Sequence, residues 1–103
     1  MPRYPQLAQI IRTHREQLNL SVRDAAKQAA ISAAMLSRIE TDGVSAGSST
    51  LIHLAEVIQL DPDLLLLLGR KLPPDIEQLL FSDNDPQPRL KLLKQLRQKL
   101  SQL

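Results

Sequence analysis

Residues 21–43, SVRDAAKQAAISAAMLSRIETDG, indicate two short helices joined by a tight turn. Ser21 is a preferred helix N-cap, and Ser32 can cap a second helix directly after the turn. In that second helix, Leu36 and Ile39 are spaced to point inward, toward the rest of a domain. The stretch therefore predicts a helical hairpin whose second helix leaves four positions facing outward. These positions are Ala33, Ala34, Ser37 and Arg38.

Two helices joined by three or four residues form a helix-turn-helix, whose second helix can enter the major groove of DNA. The longer run LAQIIRTHREQLNLSVRDAAKQAAISAAMLSRIETDG, followed by SSTLIHLAEVIQLDPDLLLL, resembles the Xre/Cro-type helix-turn-helix family of phage and bacterial repressors. The resemblance spans residues 7–69. That family carries Arg-Glu-x-x-x-Leu-Ser before the motif and Leu-Ser-x-Ile-Glu-x-x-Gly at the end of its recognition helix. The second pattern falls here on Leu36, Ser37, Ile39, Glu40 and Gly43.

The resemblance implies a compact, all-α, five-helix domain that binds double-stranded DNA, with residues 33–41 as the recognition helix. Base contacts are then expected from Ala33, Ala34, Ser37 and Arg38. Arginine can bind two acceptors of guanine, whereas alanine offers only a methyl group, so direct readout is expected to be sparse. Phosphate contacts are expected from Arg12, Ser21, Val22, Arg23 and Lys27.

Arg15 and Glu40 occupy positions at which the resembled family pairs an arginine of the first helix with the glutamate that closes the recognition helix. Such a pair would fix the angle between two helices, and the guanidinium could also reach a phosphate. From the residues alone, two unrelated surface charges remain the alternative.

Ala33 and Ala34 stand where members of the family often carry polar residues that contact bases, and three further positions depart from the family pattern. Val22 stands where a glutamine is common, and Ala30 stands in the turn where glycine is common. Val44 follows Gly43, at a position where the family tends to carry lysine or arginine. An alanine with positive φ would be strained, which predicts a slightly different turn. The departures also keep open a non-catalytic protein-interaction adaptor with weak or no DNA binding.

The remaining helices follow from start and stop signals. The first helix is expected from Pro5 to about Leu18, and a flexible loop, VSAGSS, precedes a fourth helix capped by Ser48 or Ser49. Asp61-Pro62 begins a fifth helix, which Gly69 ends. This places a helix-turn-helix domain at residues 5–70 and a C-terminal helical extension at residues 71–103.

The extension contains a short helix over residues 75–81, the loop SDNDPQP, and a basic amphipathic helix over residues 89–103. A lone helix of this length is marginal in water, so its apolar side should be buried. It can fold back on the body, pair in a homodimer, or lie on an anionic membrane. The residues expected to mediate self-association are Leu93, Leu96, Leu100 and Leu103.

Composition narrows the function further. The 103 residues include no cysteine, which excludes disulfides and cysteine-ligated zinc, and only two aromatic residues, Tyr4 and Phe81. Net charge is +3 over residues 1–41, −6 over residues 42–88 and +5 over residues 89–103, which suggests surfaces with separate partners. We find no nucleophile–base pair, ligand cluster, signal sequence or membrane span, so we expect a cytoplasmic, non-enzymatic protein without metal or cofactor.

Overall fold

The computed structural model describes residues 3–103, which form seven helices and no strand. The helices are α1 (Pro5–Gln17), α2 (Val22–Gln28), α3 (Ala33–Asp42), α4 (Ser48–Val57), α5 (Pro62–Leu68), α6 (Pro74–Leu80) and α7 (Gln87–Leu100). The predicted all-α fold is confirmed. Met1 and Pro2 lie outside the described residues.

The described chain divides into two compact units, with the boundary after Pro73. In the first unit, α1 and α2 pack against α3, and α4 packs against α5. Its core is aliphatic, and the three buried alanines of the second helical segment, Ala25, Ala26 and Ala29, bring that segment close to its neighbours. The largest fully buried side chains are Leu7, Ile11, Leu36, Ile39, Leu51, Leu54, Ile58, Leu65 and Leu66.

Three helix starts follow the side-chain chemistry of the sequence. Ser21 Oγ accepts from the Asp24 amide and Ser32 Oγ accepts from the Met35 amide, each at 3.0 Å. Asp61 Oδ1 accepts from Asp63 N at 2.9 Å. These bonds satisfy amides that have no partner within the helix.

The predicted start of α4 is wrong. Gly47 is the N-cap, without a side-chain bond, and Ser48 is the first helical residue. The preceding loop is also not free of the body. Ala46 is buried in the core, and Ser45 Oγ donates to the Gly69 carbonyl at 2.9 Å. Because these contacts anchor the chain at Ala46, it enters the helix one residue earlier than the serines indicate.

Helices α1, α2, α4 and α5 end in the same way. The residue after each C-cap has positive φ: Asn19, Ala30, Gln59 and Arg70. The next amide then bonds back five residues, as Ile31 N does to Ala26 O at 3.0 Å, which is the Schellman arrangement. Ala30 has φ 58°, so the expectation of an altered turn is wrong. Alanine adopts the left-handed conformation because the returning hydrogen bond holds the turn.

Gly69 ends α5 as predicted, but for a different reason. Its φ is −85°, and the left-handed residue is Arg70 instead. A Cβ on Gly69 would lie 2.8 Å from Leu51 Cδ1 and 2.9 Å from Ser45 Oγ. Glycine is required here for space rather than for backbone conformation.

The second unit consists of α6, α7 and the turn between them. Arg89 secures that turn by donating from Nη1 to the Leu80 carbonyl at 3.0 Å and from Nη2 to the Asn84 carbonyl at 2.6 Å. Neither helix contains a buried residue. Within residues 3–103, no helix is long and apolar enough to cross a membrane.

Candidate nucleic-acid interface

Helix α3 has one anchored side and one free side. Leu36 and Ile39 are fully buried in the core, and Glu40 is buried beside them. The four predicted base-contact positions are all exposed. They are Ala33, Ala34, Ser37 and Arg38. In the described part of the chain, the Arg38 guanidinium forms no ion pair and no hydrogen bond.

A buried ion pair joins α1 to α3. Arg15 Nε donates to Glu40 Oε2 at 2.8 Å, and Nη2 donates to Oε1 at 2.9 Å. The third donor used, Arg15 Nη1, bonds to the Leu20 carbonyl at 2.8 Å, directly before the N-cap of α2. One guanidinium therefore connects α1, α3 and the start of α2. Hydrogen bonding to Glu40, the largest effect, raises the pKa of Arg15, although burial opposes it.

The Arg15 guanidinium does not lie on the surface. Its side chain is 11% exposed, and three of its five N–H donors are directed to Glu40 and Leu20, so a phosphate contact from Arg15 stays a prediction. Arg12 is the surface arginine of this cluster. Its side chain is 51% exposed, and its Nε lies 3.5 Å from Glu40 Oε1. Glu40 thus holds one arginine inside the fold and a second one at its edge.

The predicted phosphate-contact residues around α2 lie both along the helix and at its N-terminus. Arg23 and Lys27 are exposed on the helix, four residues apart and therefore on one face. Ser21 Oγ is occupied as a cap acceptor, but its hydroxyl proton remains a donor. Val22 is the first residue of the helix, and its side chain packs against the core. Its amide belongs to the first turn, which has no acceptor within the helix.

A cleft of about 340 Å³ runs beside α3. It is bordered by Arg38, by the Met35 side chain and by the loop residues Val44 and Ser45. Met35 and Val44 also pack against the core, so this wall of the cleft is largely apolar. In this cleft, the positive charge of Arg38 therefore lies beside uncharged side chains.

The segment before α1 also holds α3, and sequence reasoning missed this contact. Arg3 N donates to the Asp42 carbonyl at 3.2 Å, and Tyr4 N donates to the Gly43 carbonyl at 2.8 Å. The centroid of the Tyr4 ring lies 5.9 Å from the guanidinium carbon of Arg3 and 5.5 Å from that of Arg70. No periodicity marks these residues. The only signal in the sequence was that Arg3 precedes Tyr4, one of the two aromatic residues.

Other kinds of site find little support in these residues. Among residues 3–103, no three His, Cys, Asp or Glu side chains come close enough to hold a metal ion. His14 is half-buried on α1 and His53 is exposed on α4. The exposed basic and polar side chains of α2 and α3 therefore form the candidate functional surface.

Residues 6–68 match the model of a family described as a helix-turn-helix domain. Among solved structures, the chain is similar to the crystal structure of an HTH_3 family transcriptional regulator from Vibrio cholerae, with a TM-score of 0.55 and 24% identity. The match covers 82% of this chain but only 44% of that chain, so this chain spans less than half of the regulator's length. At this identity the likeness supports the fold. The comparison with curated proteins found no match.

Proposed function

This chain belongs to the helix-turn-helix domain family, and we propose from that premise that it is a sequence-specific, double-stranded DNA-binding transcription regulator that acts as a repressor. The resemblance predicted from the sequence is confirmed at the level of an Xre-like helix-turn-helix family. The observation that carries the proposal is the exposed side of α3, where Arg38 projects without an intramolecular partner in residues 3–103.

In the proposed complex, α3 enters the major groove. Arg38 binds guanine through O6 and N7, a contact worth about 1–3 kcal/mol of discrimination. Ser37 can donate or accept a hydrogen bond at a neighbouring base edge, while Ala33 and Ala34 offer methyl groups. A bound pair of chains would then read two half-sites about one helical turn apart.

Phosphates are proposed to be bound around this helix rather than by it. Arg23 and Lys27 contact one strand from α2, together with the Ser21 hydroxyl and the Val22 amide. Arg12 contacts the backbone from α1, with its guanidinium oriented by Glu40 at 3.5 Å. These contacts carry no sequence information, but they set the position of α3 in the groove.

The proposed assembly is a homodimer in the cytoplasm, formed through Leu93, Leu96 and Leu100 of α7 and through Leu103, which follows this helix. The dimer would repress transcription by covering promoter DNA. The test is a reporter gene whose promoter contains a DNA site that the protein binds specifically. Expression of this reporter should fall when the native chain is present, but not when the Arg38→Ala variant is present.

Binding itself is tested by titrating the protein with a pool of random double-stranded DNA at several salt concentrations. Affinity should fall steeply with salt, and Arg23→Gln/Lys27→Gln should reduce the slope of log K against log salt by about two. The matched control is Lys91→Gln/Lys94→Gln, which removes two exposed bases from α7 and should leave the slope near that of the native chain. Arg38→Ala should abolish sequence enrichment with a much smaller effect on non-specific affinity. Absence of binding at low salt by a folded protein would overturn the proposal.

A second candidate function, a protein-interaction adaptor, is favoured by one observation. Leu67 on α5 is 73% exposed although Leu65 and Leu66 beside it are buried. A protein partner that binds α5 would cover this side chain, although a single exposed leucine is also common on protein surfaces. The adaptor becomes the leading function if DNA binding fails while Leu67→Ser removes binding of a protein partner recovered with the native chain.

A further inference from the structure

Each helix of the second unit carries a stripe of apolar side chains. The stripe of α6 is flanked by acidic residues, and the stripe of α7 is flanked by basic residues. On α6, Ile76, Leu79 and Leu80 share one face because they are three and four residues apart. Asp75 and Glu77 adjoin Ile76 in sequence and therefore lie about 100° to either side of it. The stripe of α6 is thus bordered by an acid on both sides.

The stripe of α7 has the reverse borders. Leu93, Leu96, Leu100 and Leu103 border one open groove of about 460 Å³ together with Arg97 and Lys99. By the same helical spacing, Arg97 lies beside Leu93 and Leu100, and Lys99 lies beside Leu96. Leu103 lies beyond the end of α7. Residues 89–103 contain five bases and no acid. Both edges of this stripe are therefore positive.

Neither stripe is covered within the second unit. In the second unit, the two helices meet around the turn, where an apolar pocket is bordered by Leu80, Phe81, Arg89, Leu90 and Leu93. Away from this turn, Leu79 is 51% exposed, Leu96 57% and Leu100 67%. The two amphipathic helices thus contact each other only near the turn. Beyond the turn, their apolar faces, one bordered by acidic and the other by basic side chains, are exposed.

We propose that the occupant of each stripe is a second copy of this chain, with α6 of one copy lying on α7 of the other and the reverse contact formed at the same time. Such an isologous exchange buries all four stripes and places each acidic border against a basic one. It deepens the self-association included in the proposed function, but it is measured without DNA.

Charge selects this arrangement over simpler ones. Pairing α7 with α7 of the second copy would bring two helices together that each carry five bases and no acid. Pairing α6 with α6 would place acids against acids. Like charges across an interface disfavour both pairings, whereas the reciprocal contact of α6 with α7 has attraction at each border. Over residues 74–103 the charges nearly cancel, with five bases and four acids, so repulsion between whole units is small.

The first test is the sign of the salt dependence, measured by sedimentation equilibrium of the full native chain at several salt concentrations. Screening weakens attraction between exposed opposite charges, so the dimer dissociation constant should rise with salt. A dissociation constant that falls with salt would instead indicate α7 paired with α7, and would overturn the proposal. A monomer at every concentration would also overturn it.

Charge-reversal variants locate the contact. Arg97→Glu/Lys99→Glu on α7 and Asp75→Lys/Glu77→Lys on α6 should each weaken dimerisation at least about tenfold, and the chain that combines all four changes should recover it. Lys91→Glu/Lys94→Glu is the matched control, since it makes the same charge change on the far side of α7. Circular dichroism checks that each variant keeps its helix content.

The α6 variant separates the two dimer arrangements most sharply. If α7 pairs with α7, reversing charges on α6 leaves the dissociation constant unchanged, which contradicts the proposal. Failure of this arrangement is also distinguishable from failure of DNA reading. Non-specific DNA binding that depends on Arg23 and Lys27 would persist in a chain that does not dimerise in this way.

Discussion

Arg15 and Glu40 form a two-bond ion pair inside the first unit, with Nε to Oε2 at 2.8 Å and Nη2 to Oε1 at 2.9 Å. The remaining bond of the guanidinium, to the Leu20 carbonyl, extends the contact to the residue before the cap of α2. Because the bidentate geometry fixes both direction and distance, the pair defines how α3 is held against α1 more narrowly than aliphatic packing can. The recognition surface depends on that placement.

Removing one partner of this pair should be costly. The Glu40 side chain is 2% exposed, so Glu40→Gln leaves the Arg15 charge buried without its counter-ion. We expect the free energy of unfolding to fall by about 3 kcal/mol, measured by urea denaturation. Glu16→Gln is the control, because it changes another carboxylate 3.9 Å from the same arginine but exposed, and should cost less than about 1 kcal/mol. Equal losses in both variants would contradict the structural role of Glu40.

Sequence reasoning identified this pair only through the family resemblance. The residues lie 25 positions apart, and charge patterns alone left two unrelated surface charges as the alternative. The caps at Ser21, Ser32 and Asp61 were accessible to local rules, because each depends on one side chain and an amide two or three residues away.

Features that depend on distant parts of the chain were not predictable. The space at Gly69 is filled by Leu51 and Ser45, and the start of α4 depends on the burial of Ala46. Similarly, the surface role of Arg12 rather than Arg15 follows from how closely Glu40 lies to both side chains. Such three-dimensional neighbours leave no periodic signal in the sequence.

Ala30 offers a stabilising substitution. Its φ of 58° costs an L-residue about 1–2 kcal/mol, which glycine avoids at the cost of a more flexible unfolded chain. Ala30→Gly should therefore raise the free energy of unfolding by about 0.5–1 kcal/mol, seen as a higher thermal midpoint. Ala34→Gly, the same change inside α3, should lower it, because glycine is a poor helix former. A lower midpoint for Ala30→Gly would contradict the account of this turn.

A side chain at Gly69 should destabilise the fold. A serine there would place its Cβ 2.8 Å from Leu51 Cδ1 and displace the Ser45 hydroxyl from its bond to the Gly69 carbonyl. We expect Gly69→Ser to lower the free energy of unfolding by about 1–3 kcal/mol in urea denaturation. Gly47→Ser is the matched control. It has no neighbour within 4 Å of the added Cβ and supplies a capping hydroxyl to α4, so stability should rise by a few tenths of a kcal/mol.

The exposed alanines of α3 should read thymine methyl groups. Ala34 lies one turn before Arg38 on the exposed side of the helix, so a selected half-site should contain a guanine with thymine nearby. Replacing that thymine by uracil removes one methyl group and should weaken binding about fourfold, measured by fluorescence anisotropy at fixed salt.

The Ala34→Gly chain isolates this contact. It should bind the thymine and uracil forms with equal affinity, below the temperature at which the variant unfolds. Uracil at a thymine outside the half-site is the DNA control and should change neither chain. If the native protein binds the thymine and uracil forms equally at every half-site position, the alanines only provide clearance, and specificity must come from Arg38 and Ser37 alone.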